Sequence, residues 1–238
     1  METIKVAQLS RGKVKQLGIP NDPDPMNRPW ETGIFKKSTE KSVFLSETGL
    51  DGDEVGDKRK HGGPEKALFA YPVTHYEYWR RDEGIKEMGI GAFGENLALN
   101  EATEVDVCLG DTYQFGEAII QISQPRQPCW RPARRFRIMD LALRIQTSGK
   151  TGWYFRVLEE GRVHVADELQ LIERPEPAWT IEACNNVMHV HKKDMKLAAS
   201  LAASPYLATN WKNTLEKRLR GKQSVVERRV YGPNKDEN

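Results

Sequence analysis

Only three cysteines, Cys108, Cys129 and Cys184, occur in 238 residues. Their wide, uneven spacing forms neither a disulfide framework nor a CxxC metal pair, which fits a reducing compartment and leaves each thiol to be judged by its own surroundings. Long hydrophobic runs are also missing. No apolar stretch approaches the roughly 18 residues that span a bilayer, and the opening METIKVAQLSRGKVKQLG lacks the apolar centre of a secretion signal. A cytoplasmic protein without membrane contact is therefore expected. Charge of one sign is scarce: 36 basic and 34 acidic residues give a net charge of +2. The chain as a whole has no bias towards nucleic acid or anionic lipid, so any anion site must be local. The glycine spacings of dinucleotide and P-loop sites and the cysteine set of an iron–sulfur centre are absent as well. What remains, at 38% hydrophobic residues, can bury a sizeable core in one large domain or a medium domain with an appendage.

The first two thirds read as short strands bounded by Gly, Asp, Asn or Pro: 4–10, 41–46, 66–71, 106–116 and 117–123, with 160–175 as closing strands. Helices are expected over 73–84, after Pro72, and over 137–149, where Gly149 suits a C-cap. Without regular βαβ alternation, the expected class is mainly β with helices, a largely antiparallel sheet or barrel. The character changes at ERPEPAW, and residues 180–220 carry helical spacing. There Leu207, Trp211, Leu215 and Leu219 form a stripe, and Ser204 with Pro205 is expected to open the helix. The division is thus a barrel over 1–175, a small helical module over 176–222, and a polar tail over 223–238 expected to be loosely held.

The chemistry concentrates in QISQPRQPCWRPARRF, residues 121–136. Cys129 has Arg126, Arg131, Arg134 and Arg135 nearby, and Pro125, Pro128 and Pro132 to stiffen the loop. Guanidinium groups stabilise a thiolate, the reactive and metal-binding form. The same residues would equally suit a buried spacer beside a solvated basic face. KRKHGGPEKAL offers His61 and paired glycines whose backbone can approach a ligand, flanked by Lys58, Arg59 and Lys60; as a local pattern it is also a common turn. GAFGENL adds Gly91, Gly94, Glu95 and Asn96, either a ligand-reading edge or a bulged hairpin. Cys108 and Cys184 read as packing, and the HVH at 189–191 lacks a third ligand.

Taken together, HGGPEKAL, GAFGENL, GDTYQFGEAIIQISQPRQPCW and TGWYFRVLEEG resemble, in order and spacing, the MOSC domain in its YiiM-like branch, and the helical stretch with WTIEACNNVMH resembles the three-helix module that follows it. The resemblance implies a β-barrel holding the molybdenum cofactor, molybdopterin, with Cys129 as the metal's protein ligand and His61 as a second catalytic group. It implies cofactor contacts at Lys36, Arg59, His61, Gly62, Gly94, Glu95, Asn96, Arg126 and Arg131. The six tryptophans read mostly as core, but Trp130, beside the cysteine, and Trp153, in TGWYFR, are candidates to wall a pocket for a flat substrate. The arginines would neutralise a phosphate and the metal centre. The implied activity is reduction of N-hydroxylated compounds, such as purine or pyrimidine bases, to amines. A separate reductase or carrier would donate the electrons, with the helical module as docking surface or homodimer contact. The alternative is a carrier that passes sulfur or the cofactor through Cys129. A nucleic-acid polymer fits less well, since the basic residues gather around one thiol.

Overall fold

The structure, a computed structural model, describes residues 3–57, 61–222 and 226–236. Seven strands close a barrel: β1 (Thr3–Arg11), β2 (Leu68–Pro72), β3 (Leu97–Leu99), β4 (Thr112–Phe115), β5 (Ala118–Pro125), β6 (Trp153–Glu159) and β7 (Glu168–Glu173). Their order is β7-β4-β5-β6-β2-β3-β1, and β1 returns to β7 with Ile4 opposite Leu169. Closure leaves no unpaired edge in the ring. The pairing of β2 with β3 is parallel and the others in the ring are antiparallel. The expected class, a barrel with a helical module after it, is the one found.

Alternation explains why β2 is wholly apolar. Successive side chains point to opposite faces of a strand, so Leu68 and Ala70 enter the barrel core with Ile120, Phe155 and Trp153. Phe69 and Tyr71 enter a second cluster outside it, built on Trp79 and Tyr76 of α1 (His75–Arg81) and on Met88, Phe93 and Leu141. Burial on both faces turns a strand into an unbroken hydrophobic run. Strand β5 is also buried along nearly its whole length, but there the buried side chains include the polar Gln121, Ser123 and Gln124.

Four local expectations change. Of residues 106–116 only Thr112–Phe115 is strand, because Asp111, fully buried, accepts from the Cys108 N–H and from Arg174 at 2.8 Å and so fixes a turn that holds Cys108. The arginine-rich stretch is irregular only as far as Trp130, after which α2 (Arg131–Phe136) takes Pro132 into its first turn, where its missing N–H costs nothing. Gly149 does cap α3 (Leu141–Ser148), with φ of 72°. In the module, α4 (Ile181–Asn185), α5 (Met195–Ala203) and α6 (Thr209–Leu219) gather around Trp211, Leu207, Leu215 and Cys184. Ser204, however, ends α5 rather than opening α6, and its hydroxyl bonds Glu176 at 2.6 Å. Leu219 is left largely exposed beyond the buried part of the stripe.

The polar tail is the largest departure. Residues 226–236 pack back against the barrel through α7 (Glu227–Val230), with Val230 and Asn234 each 1% exposed. Asn234 accepts from Arg134 at 2.7 Å, and its amide donates to the Trp130 carbonyl at 3.2 Å. The segment is held by specific hydrogen bonds more than by an apolar stripe, so hydropathy does not reveal it.

Candidate functional site

Strand β5 delivers the chain to the site. Register shifts along its pairing with β6 break the regular ladder just before Pro125, and bulges of this kind re-aim a strand end. Residues 126–130 then cross the barrel mouth. Arg126 N–H donates to the Gly152 carbonyl at 3.0 Å, Trp130 N–H to the Arg229 carbonyl at 3.0 Å, and the Arg229 guanidinium to the Pro128 carbonyl. Cys129 is thereby pinned on both sides, 8% exposed.

Burial would raise the Cys129 thiol above its ordinary value, but the charge and hydrogen bond of His61, followed by the charges of Arg126 and Arg131, outweigh it and bring the pKa down to about 5. The sulfur is a thiolate at neutral pH. The other two thiols are buried and differ in surroundings; Cys184 is pushed up by burial.

Cys129 lines two adjoining cavities. The larger, of about 440 Å³, is bounded by Lys36, His61, Gly62, Gly94, Asn96, Arg126 and Arg131, so seven of the anticipated contact residues do come together. Arg126 is 4% exposed, stacks its guanidinium over the Phe69 and Phe93 rings at 4.9 and 5.5 Å, and leaves Nη1 without a hydrogen-bond partner. A buried, unpaired guanidinium nitrogen calls for an anion. Lys36 rests its ammonium on Asp53, and burial lowers its pKa against the pull of that carboxylate. Asp53 also accepts from Asn96 Nδ2 and Gly12 N–H, both at 2.8 Å.

The remaining expectations divide. Asn96 reaches the cavity wall, but its amide is already engaged: Oδ1 accepts from Phe69 N–H at 3.1 Å while Nδ2 donates to Asp53 and Ser10. Glu95 does not face the cavity; it accepts from the Tyr76 hydroxyl and from the Gly91 and Phe93 N–H groups and shapes the turn. Gly94, at φ of 77°, is needed because a Cβ there would lie 2.7 Å from the Ile34 Cα. Trp130 borders the second cavity, whereas Trp153 is wholly buried in the barrel core with Nε1 unbonded and lines neither cavity. Arg59, with Lys58 and Lys60, lies outside the described residues.

Nor do all the arginines act on the thiol. Arg134 donates to Asn234 and to the carbonyls of Arg28, Pro25 and Pro233, and Arg135 to those of Ile34, Gly91 and Ala92. They hold loops together. Of the four arginines near Cys129 in sequence, Arg126 and Arg131 are the ones that act on the thiol, with Arg131 stacked 4.7 Å from Trp130 and bonded to the Glu31 carbonyl. His189 is a packing residue against Trp211, with burial first and nearby cations next depressing its pKa to about 3. Among the described residues no group of three His, Cys, Asp or Glu side chains could hold a metal.

Several bordering residues were not anticipated: Asp53, Lys66, Gln124 and Tyr154, and, from the module and tail, Asn210, Arg228 and Arg229. Strand parity could have found Tyr154. Trp153 faces the core, so its neighbour must face the other way, and it lines both cavities, with burial raising its hydroxyl to about 12 against the influence of Arg126.

A closed barrel carrying one ionised cysteine over a basic cavity, buttressed by a helical module, defines the class of protein. Residues 57–170 match the MOSC domain, and residues 179–222 the YiiM-like, 3-alpha helix domain. The chain belongs to the MOSC family. It is 36% identical over 202 residues to Bacillus subtilis (strain 168) YflK, covering 85% of this chain and 91% of that one. It is 38% identical over 211 residues to protein YiiM of Escherichia coli (strain K12), covering 87% and 93%. The crystal structure of YiiM from Escherichia coli superimposes with a TM-score of 0.80 at 30% identity, covering 98% of this chain and all of that one (100%). A protein of Gibberella moniliformis (strain M3125 / FGSC 7600) named "Reductase" is 33% identical over 177 residues, which is 73% of this chain and 31% of that protein. Among the described residues no helix is long and apolar enough to cross a membrane.

Proposed function

We propose that the protein is a molybdenum cofactor-dependent reductase of N-hydroxylated compounds, purine and pyrimidine bases among them, yielding the corresponding amines. The observation that carries this is the pairing of an ionised, buried Cys129 with the unpartnered Nη1 of Arg126 in one cavity. A soft thiolate suits molybdenum, and a dry guanidinium suits the phosphate of a pterin. The residues present therefore fit the group. Family membership and the fungal relative named as a reductase support the same reading.

Cys129 would supply the protein's sulfur ligand, Arg126 would pair with the cofactor's anionic end, and Arg131 would screen charge at the border of both cavities. The bound cofactor would supply two electrons and accept the hydroxyl oxygen of the substrate. His61, beside the sulfur, is placed to hold a proton for the oxygen that leaves. Asp53 holds the Lys36 side chain in place at the cavity wall. Electrons come from a separate protein, since the sequence carries no fingerprint for a flavin, a nicotinamide or an iron–sulfur cluster.

The test is molybdenum content after purification and dialysis, together with turnover of a hydroxylamino base using an artificial low-potential donor. Cys129→Ser should abolish both while Cys108→Ser keeps both. Normal turnover by the Cys129 variant, or sulfur transfer through Cys129 by metal-free protein, would refute the reading.

A further inference from the structure

The second cavity, about 360 Å³, shares Cys129, His61, Lys66, Arg131 and Tyr154 with the first and adds a different kind of wall. Two of its residues carry buried carbonyl oxygens with no hydrogen-bond partner, Gln124 Oε1 and Asn210 Oδ1. Gln124 is 1% exposed. Its Nε2 donates to the Pro125 carbonyl at 3.1 Å, which fixes the amide and leaves the oxygen as the unused end. Buried acceptors left without a donor are rare and costly, so two bordering one cavity mark a place where something else supplies the donors. The other unpartnered groups among the described residues do not line this cavity: Arg126 lies in the first, Trp153 and Trp211 inside cores, and Asn185 and His189 in the helical module.

The charge of the wall narrows the ligand. Lys66, Arg131, Arg228 and Arg229 line this cavity, and against these cations the Cys129 thiolate is the one anionic group on the wall, since among the described residues no carboxylate lines it. A protonated amine or amidinium would be repelled, whereas a neutral molecule offering N–H groups would meet amide oxygens. Trp130 adds an apolar plane, held by Arg131 at 4.7 Å and Arg134 at 5.0 Å from its ring and covered by Gly232, where even a Cβ would lie 2.2 Å from Cδ1.

We infer that this cavity is the substrate subsite and that Gln124 and Asn210 determine its specificity, accepting hydrogen bonds from the N–H edge of a neutral, planar nitrogen heterocycle. The inference rests on the function proposed above and adds residues to it. It also makes the helical module part of the site, since Asn210 belongs to α6.

The experiment measures binding of adenine, which has an exocyclic amine, and of purine, which lacks one, by calorimetry on the purified full-length protein. Adenine should bind wild type, and Gln124→Leu and Asn210→Ala should each weaken it by about five- to tenfold, the loss of one hydrogen bond, with purine binding unchanged. Asn210→Asp, which keeps an acceptor oxygen, should hold adenine more tightly than Asn210→Ala. Should Gln124→Leu fail to fold, the Asn210 pair decides alone. Absence of adenine binding to wild type, or equal binding by all variants, overturns the inference. Molybdenum content and reduction of hydroxylamine on the same samples separate the two ideas. Loaded, active protein indifferent to these substitutions would sink the subsite alone, and adenine binding that depends on Gln124 in protein that takes up no molybdenum would sink the reductase alone.

Discussion

Alkylation of Cys129 as a function of pH tests the electrostatics of the site without any cofactor. The thiol moves from an ordinary 9.0 to about 5, a preference for the anion of roughly 5 kcal/mol after burial has acted against it. At pH 7 about 99% of the sulfur is then ionised. The rate of reaction with iodoacetamide should stay flat from about pH 9 to about pH 6 and fall to half near pH 5. Cys108 and Cys184, 3% and 0% exposed, should remain silent. His61→Gln removes both the charge and the hydrogen bond that lead the lowering effects, and should move the midpoint up by about one pH unit or more, further than Arg131→Gln. A linked effect on stability follows from the sign of the change. Because the folded value lies below the unfolded one, the stabilisation is fully present above about pH 9, declines through the window and is lost below about pH 5. The stability of wild type relative to Cys129→Ser should rise across that window by up to about 1.4 kcal/mol per pH unit. A midpoint near 9, with no response to His61→Gln, would refute the reasoning and return Cys129 to an ordinary buried thiol.

Three further predictions concern the supporting structure. Asp53→Asn leaves the Lys36 ammonium, 4% exposed, without its carboxylate, and should cost about 3 kcal/mol in urea denaturation. Trp153→Phe removes a buried, unbonded N–H from the barrel core and should leave molybdenum content and turnover unchanged, which comparison with Trp130→Ala would check. Ending the chain after Lys222 removes two of the Arg134 hydrogen bonds and the buried Val230, and should lower stability by about 2 kcal/mol or more while speeding alkylation of Cys129.

The barrel was legible because most of its information is local. Short apolar runs bounded by turn residues marked β1, β2 and β5, and Gly149 marked the end of α3. The thiol was legible only in part: Arg126 and Arg131 are its neighbours in sequence, but His61, which leads the lowering of its pKa, reaches it from a distant stretch. What could not be seen is which way a side chain points once its element is placed. Trp153 and Tyr154 are equally aromatic, and one residue of strand register decides which lines the cavities. Asp53 sits in an ordinary acidic turn, DGDEVGD, and gains its role only when the Lys36 ammonium folds onto it from 17 residues away. Among the arginines, proximity to Cys129 in sequence was a poor guide. Arg134 and Arg135 are drawn off by carbonyl groups about 100 and 44 residues distant, such as those of Pro233 and Gly91.

The tail shows most clearly where local reasoning fails. The stretches that suggest the site's chemistry lie before ERPEPAW, which invites a division of labour in which the barrel performs chemistry and the rest docks partners. The hydrogen bonds argue otherwise. Arg229 holds the loop from both sides of the thiol, receiving the Trp130 N–H on its carbonyl and giving its guanidinium to Pro128. Asn234 ties the Trp130 carbonyl to Arg134, itself anchored on the carbonyls of Pro25 and Arg28. Residues 126–130 are therefore clamped between the N-terminal loop and the C-terminal segment, a geometry that neither segment's composition announces. A flexible loop would let water reach and hydrate the sulfur and would weaken the effect of His61 and Arg126 upon it, because charges act more strongly at short, fixed distances in a dry site. The tail thus belongs to the same electrostatic unit as the cysteine, and its polar character is what that task requires: it satisfies buried carbonyls and guanidinium groups that an apolar segment would leave unpaired.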